Sequence, residues 1–204
     1  MKLSPTPVLS VLPGVGRPPL FLAPVRFFWY NTTLRCLEMN NIILIGMPGS
    51  GKSTVGVLLA KALGYGFLDT DLTIQQREGA LLQDILNGRG TEAFLDAEER
   101  AIRSVSCRNT VIAPGGSAVC REGAMAHLKG LGTVLYLKVS HGELERRLGN
   151  ISTRGIAMEP GQTLEALYDY RAPLYARYAD RVVEVGEQTL EETVSAVLRA
   201  LIGG

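Results

Sequence analysis

The chain has 204 residues, 46% of them hydrophobic, and a net charge of +1, so it is long enough for one domain with a substantial core. That balance excludes a disordered polyelectrolyte and lacks the basic excess of a nucleic-acid binder. Three cysteines (Cys36, Cys107, Cys120) form an odd set without metal-ligand spacing, which argues against a disulfide framework or a zinc site and points to the reducing cytoplasm.

Residues 1–38 hold six of the ten prolines, which forbids a continuous helix or a central strand. They carry four basic residues and one acidic residue; subtracting these from the 21 and 20 of the whole chain leaves 17 basic and 19 acidic residues in a slightly acidic remainder. The apolar stretch within 20–30 is too short and interrupted to span a bilayer, and no small-residue cleavage site follows it. The segment is read as a disordered leader, or as an extension preceding a true start at Met39, with organelle targeting as the alternative. The working domain is then 39–204.

The next segment carries the strongest signal. An apolar strand over 42–45 runs into Gly46-Met47-Pro48-Gly49-Ser50-Gly51-Lys52-Ser53, and 54–63 continues with helical apolar spacing. Strand, glycine-rich loop and helix together make a phosphate-binding loop. Gly46, Gly49 and Gly51 let the backbone of the loop, with Ser50 and Thr54, turn its N–H groups onto phosphates at a helix N-terminus. Lys52 would reach the β- and γ-phosphates, and the Ser53 hydroxyl would complete the shell of a Mg²⁺ ion. ATP and Mg²⁺ are the expected cofactors.

A second strand over 66–68 leads into Leu68-Asp69-Thr70-Asp71. These carboxylates suit one group that serves the metal and one that accepts a proton from an attacking hydroxyl; a helix N-cap is the plainer role open to either. A third strand, 110–113, is followed by Pro114-Gly115-Gly116-Ser117, a turn that a ligand could approach closely, or simply a tight turn.

Strands over 133–139 and 181–185 follow, separated by a basic stretch. It contains Arg146-Arg147, then Arg154 within 149–155, then Arg171. Arg154 suits a lid that closes over phosphates, and adenine contacts are expected near Arg146 and the turn at Gly186-Glu187. The chain ends in a helix with a Thr189/Glu192 capping box and an apolar stripe of Leu190, Val194, Val197, Leu198 and Leu201. Strands alternating with helices imply an α/β fold with a parallel sheet covered on both faces.

The phosphate loop, the Leu-Asp-Thr-Asp segment, the Gly-Gly turn, the arginine-bearing lid and Arg171-Ala172-Pro173-Leu174-Tyr175 together resemble the shikimate kinase family over essentially all of 40–202. The resemblance implies a five-stranded parallel sheet of the nucleoside-monophosphate-kinase type with a lid. It implies transfer of the γ-phosphoryl group of ATP to the hydroxyl of a small acceptor. By that resemblance Asp71 orients or deprotonates the hydroxyl, Asp69 and Ser53 serve Mg²⁺, Arg154 is the lid arginine, and Arg171 grips the acceptor's carboxylate.

Three positions depart from the family pattern. Phe94-Leu95 stands where the family has Phe-Arg, the glycine triplet reads Gly115-Gly116-Ser117, and the lid's Arg-Pro reads Arg154-Gly155. Losing a cation at Leu95, with Asp96 beside it and Glu98, Asp71 and Arg171 retained, favours an acceptor that carries an ammonium group. Homoserine is expected on that ground, with threonine biosynthesis as its setting. Shikimate is the alternative, with Leu95 as an apolar packing position against Ile102. A nucleotide-dependent switch or ATPase module is a third reading, disfavoured because the strand over 133–139 ends without the metal-binding Asp such proteins use and no Asn-Lys-x-Asp guanine signature occurs. A monomer is expected, with no membrane or nucleic-acid partner.

Overall fold

In the computed structural model, which describes residues 41–148, 156–158 and 161–203, the chain alternates strand and helix throughout. β1 (Asn41–Ile45), β2 (Gly66–Asp69), β3 (Thr110–Ala113), β4 (Gly132–Val139) and β5 (Arg181–Val185) form one sheet in the order β2-β3-β1-β4-β5. Every pairing is parallel. The connecting helices are α1 (Lys52–Leu63), α2 (Thr70–Glu78), α3 (Leu82–Arg103), α4 (Glu122–Leu131), α5 (His141–Arg147), α6 (Leu164–Tyr178) and α7 (Leu190–Ile202). All five expected strands are present, with ends moved by a residue or less.

Every residue of β1 and β3 is buried. Side chains alternate across a strand, so complete burial requires cover on both faces of the sheet. The apolar run Ile42-Ile43-Leu44-Ile45 thus lies in the centre of the core, each side chain contributing about 1.5–3 kcal/mol by leaving water. Asn41 opens the strand as a buried polar clasp: its amide donates to the carbonyls of Cys107 and Leu131 and its oxygen accepts from the Thr110 N–H.

The strand order positions the site. From the central β1 the chain moves outward to β2, returns to β3, and then crosses β1 to β4. The crevice at the carboxyl ends therefore opens beside β1, at the switch point where open α/β sheets bind ligands. A second apolar cluster of Ile74, Leu82, Ile85, Phe94, Leu95, Ala97, Ala101 and Ala157 lies under α2 and α3. α3 is kinked at Gly90, whose φ of 79° and ψ of 173° break the helical path.

The terminal capping box is formed as expected, with Thr189 and Glu192 exchanging side-chain-to-backbone hydrogen bonds. Val194, Val197 and Leu198 are buried, whereas Leu190, the first residue of the helix, is 43% exposed. Among the described residues no helix is long and apolar enough to cross a membrane. Residues 1–38 lie outside the described residues.

Candidate active site

The loop between β1 and α1 has its glycines in conformations that favour glycine, with φ of 152° at Gly46, 80° at Gly49 and 93° at Gly51. Gly51 is the N-cap of α1, so the helix begins at Lys52 with its free N–H groups and positive dipole end facing the loop. The Ser50 N–H closes the turn on the Met47 carbonyl, while its buried hydroxyl has no partner. Lys52 Nζ donates to the carbonyls of Gly46 (2.9 Å) and Met47 (3.1 Å), so its ammonium lies across the loop. Burial lowers the Lys52 pKa to about 8, against the opposing pull of Asp71 and Asp69.

Asp69 ends β2 and does two jobs. One oxygen caps α2 by accepting the Asp71 N–H at 3.0 Å; the other accepts the Ser53 hydroxyl at 2.7 Å. The helix-cap role considered for one of the two carboxylates thus falls to Asp69, which also meets Ser53. A hydroxyl and a carboxylate are hard oxygen donors that suit Mg²⁺, which keeps waters and phosphate oxygens for the rest of its shell.

Asp71, on the first turn of α2, faces a cleft of about 420 Å³ lined also by Lys52, Ser53, Thr54, Asp69 and Glu98. Burial, reinforced by Asp69, raises its pKa to about 6 although Lys52 pulls the other way. It remains a carboxylate at neutral pH, close enough to titration to take up a proton.

Gly115, Gly116 and Ser117 form the opposite wall. A side chain at Gly115 would place Cβ 2.8 Å from Asp71 Oδ1 and closer still to Glu98 Oε1, so any larger residue there would displace one or both carboxylates. A Cβ at Gly116 would meet the Pro48 ring at 2.8 Å, showing the turn packed on the phosphate loop. The Tyr175 hydroxyl donates to the Gly116 carbonyl at 2.5 Å, and its fully buried ring stacks on Tyr136 of β4 at 5.1 Å. One turn earlier on α6, buried Arg171 also lines the cleft; its Nη2 donates to the Ala157 carbonyl at 2.7 Å and its Nε has no partner.

A phosphate loop, a metal-competent Ser–Asp pair, a poised carboxylate and a buried arginine in one cleft are the parts of a phosphoryl-transfer site. A family model for shikimate kinase matches residues 48–202. The chain belongs to the shikimate kinase family. It is 40% identical over 162 residues to a shikimate kinase of Mycobacterium tuberculosis, covering 78% of this chain and 92% of that one. A shikimate kinase of Cupriavidus pinatubonensis is 36% identical over 164 residues, with 79% and 85% covered. Among solved structures, the shikimate kinase of Acinetobacter baumannii in complex with shikimate superposes with a TM-score of 0.77 at 28% identity, covering 84% of this chain and 97% of that one. That of Aquifex aeolicus gives 0.69 at 32% identity, with 80% and 96% covered. This family member is therefore a small-molecule kinase that phosphorylates a hydroxyl acceptor, on the expected five-stranded parallel sheet.

Several expected site residues sit elsewhere. Leu95 is absent from the cleft wall: it is buried in the second apolar cluster, because its position on α3 turns it toward Ile74 and Ile85, whereas Ile102 belongs to the main core. Asp96 is on the surface, bound to Arg121 at 2.8 Å, and adds no charge beside the acceptor. Arg146 is 61% exposed and pairs with Glu143 and Glu187, while the adjoining Arg147 lines the cleft, held by Glu143 and by the Gly186 carbonyl at 2.8 Å. The arginine that lines the cleft is thus one residue after the expected one, since a step of one rotates a helical side chain by about 100°. Arg154 lies outside the described residues.

Of the residues named in the sequence, Glu98 lines the cleft, and Tyr175 supports it through the Gly116 carbonyl. Arg147 is the lining residue that the sequence signal for a basic cluster had not singled out.

Proposed function

We propose that this family member transfers the γ-phosphoryl group of ATP to a ring hydroxyl of shikimate. The observation that carries the reading is that Lys52, Ser53, Asp71 and Arg171 line one cleft. Loop N–H groups and Lys52 would hold the phosphates, and Arg147 would border the adenine. Ser53 and Asp69 would hold Mg²⁺, which when bound neutralises phosphate charge. Asp71 would accept the hydroxyl proton, and Arg171 would pair with the carboxylate, leaving Nη2 on Ala157 to keep the guanidinium aimed. Cytoplasm, where ATP and Mg²⁺ are plentiful, is the setting proposed.

Leu95 favours a second reading, homoserine, because an apolar side chain stands where the family has an arginine and the acceptor end holds one cation fewer. The surface position of Asp96 removes part of that case; Glu98 retains the rest. Steady-state rates with ATP, Mg²⁺ and each acceptor decide between them. Higher kcat/KM for shikimate is expected, and turnover of homoserine alone overturns the first reading.

A further inference from the structure

Thr70 stands between Asp69 and Asp71 as the first residue of α2, and it is completely buried. A buried hydroxyl costs stability unless it is hydrogen-bonded, and valine would fill the same space without that cost. The hydroxyl has a specific partner: Thr70 Oγ1 accepts the Gly115 N–H at 3.3 Å. The ladder between β2 and β3 ends with Asp69 opposite Ala113, where α2 takes the chain away at Thr70 and Pro114 has no N–H to donate. The threonine side chain therefore ties the two segments together again just beyond the sheet.

The tied turn is the wall of the cleft. The position of a Gly115 Cβ lies 2.8 Å from Asp71 Oδ1, so the Gly115 backbone runs directly against that carboxylate. From α6, the Tyr175 hydroxyl donates to the Gly116 carbonyl. A Gly-Gly turn has the freest backbone in the chain and no side chains of its own to fix it, so its place depends on the groups that reach it. Two of these come from two helices, one of which also carries Asp71 and the other Arg171.

We infer that Thr70 is a positioning residue, whose hydroxyl holds the Gly115 wall against Asp71, so that its loss weakens use of the acceptor and spares use of ATP. The inference rests on the proposed kinase reading and deepens it. The middle residue of Asp69-Thr70-Asp71 then acts through the wall, between a carboxylate that serves the metal and one that meets the reacting hydroxyl.

Two variants separate the hydroxyl from the shape: Thr70→Val keeps the shape without the oxygen, and Thr70→Ser keeps the oxygen without the methyl. With whichever of shikimate and homoserine wild type turns over, Thr70→Val is expected to raise the acceptor KM by about three- to tenfold, the range of one neutral hydrogen bond, and to change the ATP KM by less than about twofold. Thr70→Ser is expected to return the acceptor KM to within about twofold of wild type. An unchanged acceptor KM in Thr70→Val, an equal rise in both KM values, or a Thr70→Ser as impaired as Thr70→Val each overturns the inference. Wild type inactive on both acceptors overturns the kinase reading instead. Amide hydrogen exchange in the ligand-free protein reads the tie independently of any acceptor: the Gly115 N–H is expected to exchange about threefold faster or more in Thr70→Val, and unchanged exchange overturns the positioning role.

Discussion

Asp71 is where chemistry and burial meet most directly. Its carboxylate sits between Lys52 and the Gly115 turn, with its pKa drawn up to about 6 by burial and Asp69. Asp71→Asn keeps shape and would remove the proposed proton acceptor, so kcat is expected to fall by about 10²–10⁴-fold while the melting temperature at pH 8 is kept or raised, read by steady-state assay and calorimetry. Glu98 makes the complementary case in stability. Burial lifts its pKa from 4.5 to about 7, so the folded chain holds that proton more tightly than the unfolded chain does. The favourable contribution is complete below the unfolded value and is lost as pH rises through about 7. The melting temperature of Glu98→Gln relative to wild type is therefore expected to improve steadily from about pH 5 to pH 8; a constant difference would contradict the shift.

At the scale of elements, α6 unites the acceptor end of the site. Arg171 and Tyr175 are four residues apart, on one helix face, so the arginine that would grip the carboxylate and the tyrosine that holds the Gly116 carbonyl move together. Tyr175→Phe removes the donor to that half-buried carbonyl, which costs about 0.5–1.5 kcal/mol. The KM for the acceptor is expected to rise more than the KM for ATP, because Gly116 belongs to the acceptor wall; equal changes in both would mean that the bond serves general stability. Here the limits of periodicity are plain. Alternation and helical spacing located the five strands and the capped terminal helix, since those patterns reflect burial against a sheet. They could not say that Leu95 turns into the apolar cluster or that Arg147 rather than Arg146 reaches the cleft. A helix rotates by about 100° per residue, and only packing sets its absolute phase.

For the whole molecule, the family match over 48–202 and a sheet that begins at Asn41 concentrate the stabilising contacts in one parallel sheet and its helices. A chain starting at Met39 is expected to keep the melting temperature and kcat of the full chain, as measured by calorimetry and acceptor assay. Loss of either would assign 1–38 a part in the fold or the site.

By itself the sequence determined the phosphate loop, the Asp69/Asp71 pair and the Gly-Gly turn, because each depends on residues adjacent along the chain whose backbone chemistry is local. It also determined the α/β class, because period-2 and period-3.6 patterns record which faces are buried. Tertiary structure alone decided which side chains converge. Glu98, Arg171 and the Gly115 turn lie on separate segments and line one cleft because β3, α3 and α6 converge beside the switch point of the sheet. Which side chains meet is therefore a property of packing, since only contact between distant segments sets a helix's phase and a strand's place in the sheet.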